Sequence, residues 1–202
     1  MPDNKYCYPN SNILRNKLQI QDKDKLLQAE IHMTGNRMIE LQNNSVSGKF
    51  DFQHLCDIHK RIFQDLYDWA GETRTVNIGK NNLFCLVQHI PSYAASIFNN
   101  YYKDCMGAKN DRQNFVHVLA EHYADLNALH PFREGNGRSQ REFTRELCLK
   151  CGYMFDLSTT NHQEMLDASI ESFNTGNNKK LENIFQKAIA PIEDYESLPM
   201  KN

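Results

Sequence analysis

Apolar positions fall at helical spacing through Leu26, Leu27 and Ile31 and on to Met38 and Leu41, and again through Phe52, Leu55, Ile58, Ile62 and Phe63. An apolar side chain every three or four residues lays a stripe along one face, so both stretches predict amphipathic helices. Between them NNSVSGKF supplies turn residues, and Asp51 is placed to cap the second helix. A further helix is expected from about Ser92 to Lys103 behind Pro91, carrying Ile97, Phe98, Tyr101 and Tyr102. Another runs from about Asp111 to Leu129, where Phe115, Val118, Leu119, His122, Leu126 and Leu129 keep a 3.6-residue period. The same pattern predicts helices over about Gly137 to Cys151, Gln163 to Phe173 and Lys179 to Ile189. Only TRTVNIGKNNLFCLVQHI, residues 73 to 90, resists it: β-branched residues flank a GKNN turn signal, which predicts a short hairpin. The last residues, APIEDYESLPMKN, read as a frayed tail. The expectation is an all-α chain with one short β-hairpin: residues 1–50 a helical N-terminal extension, 51–190 the core and 191–202 the tail of one compact unit.

Composition narrows the function classes. A chain of 202 residues that is 40% hydrophobic and 24% charged is long enough for one core. A net charge of -2, from 23 basic and 25 acidic side chains spread along the chain, leaves no global field to hold nucleic acid by its phosphates. No direct nucleic-acid partner is expected, and any anion binding has to be local. No stretch is long and apolar enough for a membrane span, and MPDNKYCYPNSN has no charged-then-apolar leader pattern, so a cytoplasmic protein without a membrane partner is expected. The six cysteines, at positions 7, 56, 85, 105, 148 and 151, read as reduced thiols. Cys148 and Cys151 form a C-x-x-C, but late in a helical pattern and without a second pair, which points to a structural role.

The densest chemistry is HPFREGNGR, His130 to Arg138. Pro131 disfavours helical geometry at His130, so the long helix should stop there and present the imidazole at its carboxyl end. Gly135 and Gly137 bracket Asn136, and glycines let main-chain N–H groups approach an anion closely. RSQREFTREL then begins a helix whose first amides and positive dipole end point back at the same loop. Arg138 and Arg141, three residues apart, share a face near that start, where a cation opposes the dipole unless an anion is bound. Glu134 is a single carboxylate of the kind that holds Mg2+ beside a polyphosphate. His130, with an intrinsic pKa of roughly 6.5, can take the proton of an attacking hydroxyl. Base, metal carboxylate, main-chain cradle and arginines are the parts needed to transfer a phosphorus-centred group from a nucleotide. The same parts allow phosphate transfer or removal of AMP. Other readings are a hydrolytic metal site of His122, His130 and Glu134, a dead site that only binds, and a plain capping box of Ser139 and Glu142.

HPFREGNGRSQR, His130 to Arg141, resembles the signature of the Fic family, H-x-F-x-D/E-G-N-G-R-x-x-R, with every specified position filled. Residues 47 to 78, including the W-A-G stretch at Trp69, and EMLDASIESF, residues 164 to 173, extend the likeness to about residues 5 to 190. The resemblance implies a helical fold and AMP transfer from ATP to a side-chain hydroxyl of a protein. It makes His130 the base, Glu134 the Mg2+ carboxylate, Gly135, Asn136 and Gly137 the phosphate cradle, Arg138 and Arg141 the β- and γ-phosphate ligands, and Phe132 the apolar anchor of the loop. The hairpin at about 76 to 90 resembles the family's flap, which registers the target by strand addition; Lys80 and Phe84 are its expected target contacts. Trp69 is expected in the core.

Fic proteins are commonly restrained by a glutamate in an S/T-x-x-x-E-G/N helix that pairs with the second motif arginine, here Arg141. Thr160-x-x-x-Glu164 is followed by Met165, and Glu182-Asn183 has Asn178 where Ser or Thr is wanted. The chain thus resembles the toxin branch whose inhibitory helix comes from a separate small antitoxin and whose targets are bacterial type II topoisomerases; self-inhibition through Glu182 is the alternative.

Overall fold

Four of the helices begin where a short polar side chain takes an orphan amide. In the computed structural model, which describes residues 5–79 and 82–196, Asp22 caps α1 (Lys23–Asn43), Asp51 caps α2 (Phe52–Phe63) and Asp111 caps α5 (Arg112–Leu129). Asn161 and Glu164 form a reciprocal capping box at α7 (His162–Thr175). Between these lie α3 (Ile90–Phe98), α4 (Tyr101–Ala108) and α6 (Asn136–Lys150); α8 (Lys179–Ala188) and α9 (Ile192–Glu196) close the chain. Among the described residues no helix is long and apolar enough to cross a membrane.

α5 is the centre of the bundle and packs against α3, α4, α6, α7 and α8, while α6 lies between α5 and α2. The seam is wholly buried: Phe115, Leu119, Leu126 and Leu129 of α5 and Phe143 and Leu147 of α6 are 0% exposed. Truncating one such leucine to alanine costs about 2–5 kcal/mol. The consequence for the site is rigidity, because the loop from His130 to Gly135 hangs between the ends of two helices that cannot shift separately. The N-terminal residues join this packing, with Tyr6, Cys7 and Leu14 buried and an antiparallel bridge from Cys7 to Leu14.

Four expectations need correction. The helix expected over Ser92 to Lys103 is two helices, broken at Asn99 and Asn100; Tyr101 then turns inward, fully buried and stacked on His122 at 4.3 Å. Among the described residues the hairpin of residues 73–90 shrinks to one antiparallel bridge, Gly79 with Leu83, beside a Phe84 N–H to Ile78 carbonyl bond of 3.1 Å. A two-stranded sheet that apolar periodicity did not reveal joins β1 (Tyr153–Phe155) to β2 (Ile189–Pro191) in antiparallel register, and α9 follows where a frayed tail was expected. Ser139 and Glu142 do not form a capping box: the Ser139 hydroxyl donates to the Gly135 carbonyl and Glu142 pairs with Arg145. The C-x-x-C cysteines are buried free thiols, Cys148 at 0% exposure, and burial pushes its thiol well above the usual range.

Candidate active site

α5 ends at His130, whose backbone takes the left-handed conformation (φ 43°, ψ 59°). Proline at 131 disfavours the helical conformation there, and a non-glycine residue held at positive φ stores strain of roughly 1–3 kcal/mol. The imidazole is fixed on two sides. Its Nδ1 lies 3.2 Å from the Asn127 carbonyl, which can only accept, so Nδ1 carries the proton and Nε2 is left with its lone pair. One ring face stacks on Phe84, with centroids 3.7 Å apart and planes 9° apart. Burial is the main reason the pKa of His130 falls to about 4; the Asn127 bond opposes the shift and nearby Arg74 adds to it. At neutral pH the ring is therefore an uncharged base.

The loop after His130 is braced from inside. Asn136 is 4% exposed and its side chain is spent on Phe132: Oδ1 accepts the Phe132 N–H at 2.9 Å and Nδ2 donates to the Phe132 carbonyl at 2.8 Å. Phe132 is fully buried, with its ring stacked on His59 at 3.9 Å. His59 accepts the Gly71 N–H at Nδ1 (2.8 Å), so its Nε2–H donates to the Glu134 carbonyl (3.0 Å). Gly135 has φ 80°, and a Cβ there would meet Phe63 ring atoms at 2.2 Å. Only glycine fits that close approach. As the N-cap of α6 it offers no side chain, which leaves the first amides of the helix uncapped toward the cavity.

That cavity, about 570 Å³, brings together His130, Glu134, Asn136 and Gly137 from the motif, Phe84 from the flap segment, and Ile170 and Phe173 from α7. Glu134 is 46% exposed at its side chain, with one oxygen on the Gly135 N–H (2.9 Å) and 3.7 Å from Arg138. The two motif arginines diverge. Arg138 lies 4.6 Å over the Phe63 ring and reaches α1, where Glu30 (2.5 Å) and Thr34 (3.1 Å) receive it. Arg141 lies under Gly137, its Nη1 3.1 Å from the place a Cβ would take, and hydrogen-bonds Tyr123.

A family model described as "Fic/DOC family" matches residues 49–148. Protein adenylyltransferase VbhT of Bartonella schoenbuchensis is 41% identical over 83% of the chain, and "Probable protein adenylyltransferase y4lH" of Sinorhizobium fredii is 37% identical over the same share. The chain spans 35% of the length of the first and 86% of the second. The chain belongs to the Fic/DOC family. Among solved structures, the BepC effector protein of Bartonella tribocorum with bound AMPPNP superposes with a TM-score of 0.86 at 25% identity, over 95% of this chain and 98% of that one.

In this Fic chain His130, Glu134, Asn136 and Gly137 of the expected motif residues line one cavity; Phe132 is buried against His59, Gly135 packs against Phe63, and Arg138 and Arg141 do not line it. Phe84 is seated on His130 rather than turned outward, and Lys80 lies outside the described residues. The metal grouping of His122, His130 and Glu134 does not form, because His122 stacks on Tyr101 and pairs with Asp104 (3.1 Å). Glu182 is engaged by His117 (2.5 Å) and Lys179 (2.9 Å), not by Arg141. Sequence reading missed His59, Arg74 and Glu30. They sit in helical or irregular stretches without a motif of their own; α2 packed on α6 brings His59 to the loop, α1 packed on α2 brings Glu30 to Arg138, and Arg74 reaches the loop through the His130 and Pro131 carbonyls.

Proposed function

We propose that this chain is a protein adenylyltransferase that moves AMP from ATP to a side-chain hydroxyl of a target protein. The observation that carries the reading is the His130 tautomer: Nδ1–H is tied to Asn127, and Nε2 is left as the basic edge of a ring that lines the same cavity as Glu134 and the start of α6. A hydroxyl brought to Nε2 gives up its proton there as its oxygen bonds to the α-phosphorus. The bond from that phosphorus to the bridging oxygen breaks, and pyrophosphate leaves. The uncapped amides at Asn136 and Gly137 and the α6 dipole favour the negative charge that builds up.

Mg2+ fits the donor set, since Glu134 presents one solvent-facing carboxylate beside the cavity and the ion prefers one or two carboxylates with phosphate oxygens and waters. When bound, it would neutralise phosphate charge. Arg141, under Gly137, hydrogen-bonded to the Tyr123 phenol and without a carboxylate partner among the described residues, is the arginine this reading assigns to the terminal phosphates. Arg138 must exchange Glu30 for phosphate to do so. The target segment docks along the flap, and its assignment to a bacterial type II topoisomerase follows the toxin branch. So does restraint by a separate small antitoxin supplying a glutamate to Arg141; engagement of Glu182 elsewhere supports this over self-inhibition. The compartment this reading assigns is the cytoplasm.

The test is incubation of the protein with α-labelled ATP, Mg2+ and a bacterial lysate, followed by mass spectrometry of the labelled band. An AMP increment that disappears in His130→Ala, with the helical circular dichroism intact, is expected. A phosphate increment, loss of AMP from the target, or unabated labelling by His130→Ala would overturn it.

A further inference from the structure

Arg74 is among the largest wholly buried side chains of the protein, at 1% exposure, and its hydrogen bonds go to main chain. Its N–H donates to the Pro131 carbonyl at 2.8 Å, and Nε donates to the His130 carbonyl at 2.8 Å. Nη1 donates to Val76 at 3.0 Å and Nη2 to Cys85 at 2.5 Å. One guanidinium therefore joins both arms of the flap to the carbonyl of the strained histidine. A planar fork with five donors can do this; a lysine ammonium on a flexible stem cannot span the three carbonyls. The returning arm is tied a second time, because the Cys85 N–H donates to the Ala128 carbonyl in the last turn of α5 at 3.0 Å.

On the far side of the same residue, Phe84 lies flat on the His130 ring and is itself backed by Phe173 of α7 at 5.0 Å. With Nδ1 on Asn127, the stack removes the freedom of the ring to turn about its own axis. The only edge left to a substrate is Nε2. Among the described residues the ionisable groups near the ring are Arg74 at the flap root and Arg133 and Glu134 on the motif loop; α7 presents Ser169, Ile170 and Phe173 to the cavity.

We propose that Arg74 and Phe84 are positioning residues for the transfer reaction: they make the flap a clamp that holds His130 by its carbonyl and by its ring face, so that seating a target on the flap and orienting the imidazole are one event. The proposal rests on His130 being the base. It goes beyond that reading by giving the flap a task inside the site. Loosening either jaw lets water reach the ring and lets it rotate. Target transfer suffers while nucleotide binding, which uses the loop and α6, does not.

The experiment compares the wild type with Phe84→Ala, Phe84→Tyr and Arg74→Lys. Three quantities are read: the pKa of His130 by NMR titration of its ring, ATP affinity by calorimetry, and the rate of lysate labelling from α-labelled ATP. In Phe84→Ala the ring pKa should rise from about 4 toward the ordinary imidazole value, and labelling should fall at least about tenfold, the scale of one misplaced catalytic contact. ATP affinity should stay within about twofold, which is under 0.5 kcal/mol. Phe84→Tyr keeps the stack and should restore both pKa and rate. Arg74→Lys should shift the pKa in the same direction; should it fail to fold, the half-buried Phe84 pair still decides the matter. A His130 pKa and labelling rate unchanged in Phe84→Ala would overturn the clamp. Wild-type labelling by His130→Ala would instead overturn the base assignment, and the NMR readout separates the two because it needs no turnover.

Discussion

Asn136 looks like a nucleotide ligand in the motif and behaves as a loop brace in the fold, and Asn136→Ala separates the two. The substitution leaves the Phe132 N–H and carbonyl without their partner inside a site where Asn136 is 4% and Phe132 0% exposed. An orphaned buried polar group costs about 1–3 kcal/mol, so two cost about 2–6 kcal/mol. Alanine in the first turn of α6 returns roughly 0.5 kcal/mol of helix propensity. The net loss expected is about 2–5 kcal/mol, which lowers the Tm of a chain this long by about 4–20 °C at roughly 2–4 °C per kcal/mol. Thermal unfolding by circular dichroism with and without saturating ATP and Mg2+ is the assay. A large loss of stability without nucleotide is expected, together with weaker binding because Phe132 and Glu134 lose their register. An unchanged Tm combined with lost nucleotide binding would refute the reasoning, since it would show the amide acting on the ligand and not on the loop.

Gly135→Ala places a Cβ 2.2 Å from the fully buried Phe63 ring at φ 80°; the left-handed cost of about 1–2 kcal/mol and overpacking of about 1–3 kcal/mol together predict a loss of about 2–5 kcal/mol in urea unfolding and loss of labelling activity. A variant as stable and active as the wild type would refute this close packing. His130 and His59 both have pKa values lowered to about 4 by burial. Between that value and roughly 6.5 the unfolded chain holds protons that the folded chain does not, so their share of stability is complete above the unfolded pKa and is lost as pH falls through this window. His130→Gln should flatten the decline of urea stability between these limits by up to about 1.4 kcal/mol per pH unit, and an unaltered slope would count against the buried neutral ring.

Periodicity and composition were enough for the helical class, for α2, α5 and α6 to within a residue or two, and for the end of α5 at His130, because a buried stripe and a proline act locally. The motif loop was legible for a related reason: glycines, a base and a carboxylate in consecutive positions must share a small volume wherever the loop lies. The division of labour among them was not legible. Whether Asn136 faces ligand or loop depends on Phe132 being drawn under α2, and whether Arg138 is free depends on Glu30, over a hundred residues away in sequence, lying beside it. The flap shows the same limit: β-branched residues around a turn signalled a hairpin, yet its shape is set less by strand pairing than by one buried guanidinium gathering carbonyls from both arms. Local chemistry chooses which groups are present; long-range packing chooses their partners, because a hydrogen-bond donor in a dry interior takes whichever acceptors the assembled helices bring within reach.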